Sequence, residues 1–297
     1  MATTPVFGRL VLYLRMIKFS HSIFALPFAF TSAILAYGGI PALRQVLWIT
    51  VAMVGARSAA MGMNRVIDRK IDALNPRTKN REIPLGVIGV GEAAVFIVVS
   101  LAVLVYAAYN LNYLCFKLSP LAIGILFFYS FTKRFTWLSH VVLGVAISFA
   151  PIGAWIAVKG TFSLSITPLV LAVVFWLAGF DTLYGLNDLE FDKQHGLFSI
   201  PRRFGKEKAI MIARGFHILT WALLILNGLV FELGLFYYTG IVIVTFFLFY
   251  EHYIIKPNDL SRLNMAFFNM NGYISVTIFV FVLLEKTLNS HQYASWI

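Results

Sequence analysis

Apolar residues along this chain fall in long, almost uninterrupted blocks, with the polar residues gathered into short stretches between them. Nine blocks of roughly 17–25 residues are each long enough to cross a hydrocarbon layer as a helix. They lie at roughly 17–37, 46–66, 92–110, 113–131, 138–158, 166–187, 209–230, 234–254 and 267–286. Gly38-Gly39-Ile40-Pro41, Lys159-Gly160 and Lys256-Pro257-Asn258 mark turns, whereas almost nothing separates the third block from the fourth. A backbone in lipid must satisfy its own polar groups, and blocks of this length do so as helices. The pattern therefore predicts an all-α, polytopic membrane protein of nine transmembrane helices. No polar stretch exceeds about thirty residues, so 1–297 reads as one membrane domain with no separate soluble part.

Composition sharpens this picture. The chain is 60% hydrophobic and only 12% charged, against about a quarter charged in soluble domains. Its net charge of +11 invites a nucleic-acid reading, but the basic residues sit in short connections where they set topology. No nucleic-acid partner is expected; lipid is. With the N-terminus in the cytoplasm, about 19 Lys and Arg lie inside and about 4 outside, leaving Arg57 alone within a block. That places the chain in a bacterial cytoplasmic membrane, N-terminus inside. The first apolar block is too long for a cleavable signal, and the single Cys115 has no internal disulfide partner.

Two polar stretches carry the chemistry: Asn64–Gly86 and Asp181–Ser199. Five of the six aspartates fall in them. Asn64, Asp68 and Asp72 recur every four residues, as do Tyr184, Asp188 and Asp192, so each set is expected to stack along one helical face. Asp181 lies seven residues before Asp188, about 10 Å deeper along a helix, where an ionisable group needs a polar cavity or a partner. Both stretches belong to the cytoplasmic face, four blocks apart. This suggests tandem four-helix halves at roughly 17–131 and 138–254 with a ninth helix added.

Carboxylates and an amide without His or Cys at ligand spacing suit Mg²⁺ or Ca²⁺ rather than zinc. His195 reads as a surface residue, and Arg69, Lys70, Lys193 and Lys208 as topology signals. Arg65, Arg77, Lys79 and Arg81 flank the first acids, and Arg202, Arg203 and Lys206 the second. Mg²⁺-holding acids beside guanidinium forks suggest a diphosphate, and an apolar wall running into the bilayer suggests a hydrocarbon tail. A prenyl diphosphate combines the two. Metal ions neutralise the departing diphosphate, and aromatic faces stabilise the allylic cation left behind. Tyr184 and Tyr129 are the nearest aromatic candidates.

Three ordered motifs then resemble a known family. Asn64-Arg65-x-x-Asp68-x-x-x-Asp72 with Asn75-Pro76-Arg77-Thr78-x-x-Arg81-x-x-Pro84-x-Gly86 is similar to the first signature of the UbiA-type membrane aromatic prenyltransferases. Asp181-Thr182-x-Tyr184-x-x-x-Asp188-x-x-x-Asp192 resembles the second, and Tyr129-x-x-x-Lys133-Arg134-Phe135 their Tyr…Lys-Arg segment. The resemblance implies nine helices around a central cavity under a cytoplasmic cap, and Mg²⁺-dependent transfer of a polyprenyl group to a ring carbon of an aromatic acid such as 4-hydroxybenzoate. By the same analogy Asn64, Asp68 and Asp72 hold one metal, and Asp188 with Asp192 another. Arg65, Arg81 and Lys133 would bind diphosphate, Arg134 the carboxylate of the acceptor, and Asp181 or Asp188 would assist proton removal. Lys18–Phe28, with His21 as a possible acceptor contact, resembles the branch named for 4-hydroxybenzoate, some of whose members act on a dihydroxynaphthoate for menaquinone. In many members a lysine stands two residues after the last aspartate of the second motif; here Gln194 does, beside Lys193. Rival readings are a cation-coupled transporter with the acids as its ion site, and a CDP-alcohol phosphotransferase, whose acids lie in one contiguous signature.

Overall fold

The computed structural model describes residues 6–18 and 24–288; His21 lies outside them. Among the described residues the structure is helical, with turns and one isolated bridge between Lys256 and Asp259. Eight helical segments among the described residues are long and apolar enough to cross a membrane. A further apolar helix, Leu26–Tyr37, has 12 residues, about 18 Å of rise. Its block was expected to begin near residue 17. The chain instead turns at Ile17 and Lys18, and Leu26-Pro27 opens the helix, proline being well tolerated in a first turn.

In chain order the helices are α1 (Val6–Met16), α2 (Leu26–Tyr37), α3 (Leu43–Ile67), α4 (Arg69–Leu74), α5 (Val90–Leu111), α6 (Tyr113–Tyr129) and α7 (Ser139–Lys159). Then come α8 (Thr167–Tyr184), α9 (Leu189–His195), α10 (Ile200–Val230), α11 (Leu235–Ile254), α12 (Leu263–Met265) and α13 (Asn271–Leu288). The long helices pack in a closed circuit: α3 on α5, then α6, α7, α8, α10, α11, α13, α2 and back to α3. Their outward faces carry Val95, Val98, Tyr106, Val242, Phe246 and Phe249 exposed, the surface a hydrocarbon solvent accepts. The close approach of α3 to α5 depends on Gly55, where a Cβ would stand 2.9 Å from Leu104 N and Ser100 O. Gly55→Val is expected to force these helices apart at a cost of about 1–3 kcal/mol, read as a lower thermal midpoint in detergent.

Polar groups inside the bundle are paired across helices. Glu285 of α13 accepts from Gly234 N (2.8 Å) and Tyr237 N (3.1 Å), satisfying the open N-terminus of α11. His217 of α10 bonds His252 of α11 and the carbonyl of Trp176 in α8. The tight junction between α5 and α6 is a single residue, Asn112. Its side chain accepts from Cys115 N and donates to Ile156 O, so one amide caps α6 and ties it to α7.

Two features depart from a reading of the two acidic stretches as unbroken helices. α3 stops at Ile67 and α4 starts at Arg69, with Asp68 at the bend (φ −89°, ψ 1°). In parallel, α8 gives way to a 3-10 turn over Gly185–Asp188 before α9, with Asp188 at the second bend (φ −102°, ψ 2°). Aspartate is a poor interior helix residue, and each of these two interrupts its helix before a short one follows. The amphipathic α1, not expected from the sequence, packs beside this cap. Arg9 and Tyr13 bond Glu92 at 2.6 and 2.7 Å, and Met16 and Ile17 pack on Ile83 and Ile88.

Candidate active site

Under the cap lies a cavity of about 300 Å³ whose wall includes Asn64, Asp68, Asp72, Asp181, Tyr184, Asp188 and Asp192. Both acidic stretches thus face one hollow from the same end of the bundle. They also touch. Asn75 Nδ2 donates to Asp188 Oδ1 (2.9 Å), Arg77 pairs with Asp188 through both Nε and Nη2, and Arg77 Nη1 donates to Tyr184 OH (3.1 Å). The Arg77 guanidinium lies over the Tyr184 ring, 5.2 Å from its centroid. The first motif's loop therefore closes on the second motif's bend.

Three of the five acids, Asp68, Asp72 and Asp188, already have a lysine or arginine partner. Asp68, buried, is held by Lys133 Nζ at 2.5 Å and Arg134 Nη2 at 2.8 Å, with Asn64 Nδ2 at 3.0 Å. Arg81 Nη1 reaches both oxygens of Asp72 at 2.8 Å, and buried Arg65 stands 4.0 Å away. Arg65 Nε donates to Met16 O, so the end of α1 holds this arginine in place. Asp192 is different: buried, it accepts from Ser199 Oγ at 2.7 Å and has no ion-pair partner among the described residues. A carboxylate buried without a counter-charge is costly, which fits a cation arriving from outside.

Whether the donors suit Mg²⁺ follows from their type. Among the described residues no three His, Cys, Asp or Glu side chains converge into a closed metal cage. Mg²⁺ does not need one, since it takes one or two carboxylates and completes its shell with phosphate oxygens and water. Asp68 with Asn64, and Asp188 with Asp192, supply such oxygens to one cavity. The residues fit an Mg²⁺ that enters with a diphosphate.

Positive charge is in excess around the acids. Lys18, Arg57, Arg65, Arg77, Arg81 and Lys133 all line the cavity. Burial, and then the nearby charges of Arg81, Arg65, Arg77 and Arg57, pull the Lys18 ammonium down to about 8. Burial opposes the charge on Arg77, but its hydrogen bond to Asp188 and the charge of that aspartate outweigh burial and raise it. Because Lys18 loses its proton as pH rises through about 8, kcat/KM for an anionic substrate is expected to fall there, and Lys18→Gln to flatten that limb of the pH profile.

The profile of the UbiA prenyltransferase family matches residues 25–273. The chain belongs to this family. It is 30% identical over 249 residues to 4-hydroxybenzoate octaprenyltransferase of Vibrio atlanticus (strain LGP32), covering 84% of this chain and 87% of that protein. It is 31% identical to the protein of the same name from Pseudomonas aeruginosa (strain UCBPP-PA14), covering 86% and 85%. The apo structure of a UbiA homologue from Aeropyrum pernix K1 shares the fold with a TM-score of 0.77 at 27% identity, covering 93% of this chain and 98% of that one. A UbiA homologue from Archaeoglobus fulgidus bound to GPP and Mg²⁺ has a TM-score of 0.66 at 20% identity, covering 92% and 99%. This chain is an integral membrane prenyltransferase, which sets aside the transporter and CDP-alcohol phosphotransferase readings.

Within this UbiA-family enzyme, the structure gathers Asn64, Arg65, Asp68, Asp72, Arg81, Tyr129, Lys133, Asp181, Tyr184, Asp188 and Asp192 around the cavity. Arg134 is not among its lining residues. Its guanidinium is engaged by Asp68, Ser130 O and Ile67 O. Lys193 is exposed with Glu190 at 3.0 Å, and His195 is exposed and stacked on Phe191. Arg202 bonds Leu197 O and lies over Phe198. Three ionisable cavity residues were not singled out as site residues from the sequence: Lys18, Arg57 and His140. Arg57 did leave a signal, as the lone cation inside an apolar block, seven residues before Asn64.

Proposed function

We propose that this enzyme transfers a polyprenyl group from a prenyl diphosphate to a ring carbon of an aromatic acid, 4-hydroxybenzoate being the favoured acceptor, and serves quinone biosynthesis. One observation carries the reading: the polar cavity runs into a second, largely apolar cavity of about 200 Å³, and the two share Ala25, Arg57, Ala60, Leu126, Ala146 and Ile147. The second cavity is lined by Ile49, Met53, Leu118 and Ile152 between α3, α5, α6 and α7. A charged head and a hydrocarbon tail on one molecule match this pair of spaces. The names of the curated relatives and the ligands of the Archaeoglobus structure support the same substrate classes.

In this reading Lys18, Arg65, Arg81 and Lys133 bind the diphosphate oxygens, and the Asn64/Asp68/Asp72 and Asp188/Asp192 sets hold Mg²⁺. Bound there, Mg²⁺ supplies charge neutralisation for the departing diphosphate. Tyr129 and Tyr184 present ring faces to the electron-poor prenyl carbon. Arg57 receives the acceptor's carboxylate. It sits at the junction of the two cavities, and its Nε is buried without a partner. A guanidinium fork there matches a carboxylate in geometry and charge, whereas Arg134 is already taken. Asp181, deeper in the wall, takes the acceptor's proton. The cap side is cytoplasmic, where water-soluble acids are available.

The test is transfer itself. Membranes bearing the protein are incubated with Mg²⁺, labelled geranyl diphosphate and 4-hydroxybenzoate, and a prenylated acid is sought by mass. Label should pass to the acid, and chelation of Mg²⁺ should stop it. Absence of product with every carboxylated phenol or naphthol tried overturns the reading.

A further inference from the structure

His140 is the second residue of α7 and reaches Asp181 on α8, its Nδ1 2.7 Å from Asp181 Oδ2. An ionised carboxylate only accepts, so Nδ1 carries the hydrogen of this bond. Nε2 is buried with no hydrogen-bond partner. The ring fits because residue 185 is glycine: a Cβ there would stand 3.0 Å from His140 Cε1 and 3.4 Å from Nε2. A buried polar nitrogen left without a partner costs free energy, so a histidine whose one bond goes to Asp181 asks for a reason. Asp181 supplies it. Its side chain is 24% exposed against 8% for His140, and both line the cavity. The imidazole is fixed in the wall while the carboxylate looks into the hollow.

We infer that His140 is a positioning residue for proton removal. Its Nδ1–H clamps Asp181 Oδ2, so that Oδ1 is presented to the acceptor ring at one angle. The inference rests on the transfer reading above. In that reaction the prenyl C1–O bond breaks and its electron pair leaves with the diphosphate. A ring carbon of the acceptor supplies the pair for the new bond to C1. The hydrogen on that carbon passes as a proton to Asp181 Oδ1, and the C–H pair restores the aromatic ring. An aspartate has two freely turning side-chain bonds, and a misaligned base is a slow one, because sites of this kind tolerate only about 0.5 Å of error. The His140 clamp removes that freedom without placing a second base against the substrate.

The experiment compares purified wild-type enzyme with His140→Ala, His140→Leu and His140→Asn, using Mg²⁺, geranyl diphosphate and 4-hydroxybenzoate with or without ring deuterium. Removing the clamp should lower kcat by about 100-fold with the KM for the diphosphate unchanged. A ring-deuterium isotope effect should emerge that the wild type lacks, because proton removal has become the slow step. His140→Asn, whose amide can donate near the position of Nδ1, should recover most of the rate and lose the isotope effect. His140→Leu refills the volume and should behave as Ala does, which covers the case where Ala does not fold. The inference is overturned if Ala and Leu keep the wild-type kcat. It is equally overturned if the rate falls with no isotope effect and Asn rescues no better than Leu, the mark of a merely structural contact. A wild-type enzyme that transfers nothing sinks the transfer reading first, a result visible before any variant is made.

Discussion

Asp188→Asn abolishes prenyl transfer, lowering kcat by at least about a thousandfold, while the protein still purifies folded. The neutral amide keeps the shape, and its oxygen can still accept from Asn75 Nδ2 and Arg77 Nε. Its NH2 cannot accept from Arg77 Nη2, and it would not offer an anionic oxygen to the Mg²⁺ proposed to be held with Asp192. The charge pair lost with Arg77 is partly buried, with side chains 20% and 32% exposed, so its removal should cost about 1–3 kcal/mol of stability. Activity and folding are thereby separable. Initial rates of label transfer across an Mg²⁺ titration, alongside the thermal midpoint, decide the matter. A variant within tenfold of wild type would remove Asp188 from the metal set. Asp68→Asn should behave alike in rate, but it also releases Lys133 and Arg134 from a buried carboxylate, so a larger loss of stability is expected there.

Arg57→Met raises the KM for 4-hydroxybenzoate by roughly 10–100-fold, the worth of about 1.5–3 kcal/mol for a charged hydrogen bond, and leaves the KM for prenyl diphosphate near its original value. Methionine keeps the apolar stem of arginine and stops short of the guanidinium, so α3 should pack much as before. Arg134→Ala is the control that gives the prediction its edge. If Arg134 grips the acceptor, its loss raises the acceptor KM and Arg57→Met does not. The geometry argues the reverse, since Arg134 is bonded to Asp68 and to two backbone carbonyls. Kinetics with 4-hydroxybenzoate and with a phenol lacking the carboxylate would read the difference directly, because only the acid should feel the substitution.

Much of the fold was legible in advance because the lipid phase leaves few choices. A block of about 20 apolar residues has one way to bury its backbone polar groups, so most helix positions follow from hydropathy alone. Eight of the expected spans appear as helices of sufficient length, and the junction between α5 and α6 is as short as the sequence implied. Amphipathic α1 escaped notice because an 11-residue helix bearing Arg9 and Arg15 resembles any polar leader. The bends at Asp68 and Asp188 escaped for another reason. A four-residue spacing is the same in a straight helix and in two helices joined at an aspartate, and only packing on the neighbouring cap tells them apart.

The linear order of residues determined which groups could meet at one end of the bundle: two aspartate stretches, an arginine-rich fringe, and walls too apolar for any solvent but lipid. Hydropathy and charge are additive along the chain, so they survive being read one residue at a time. Which cation answers which carboxylate is not additive. Arg134 and Arg57 are both arginines near the acids, yet one is turned to Asp68 and the other faces the cavity without a partner at Nε. That difference, like the meeting of His140 with Asp181 across 41 positions of sequence, exists only once α3, α6, α7 and α8 have closed around a common space.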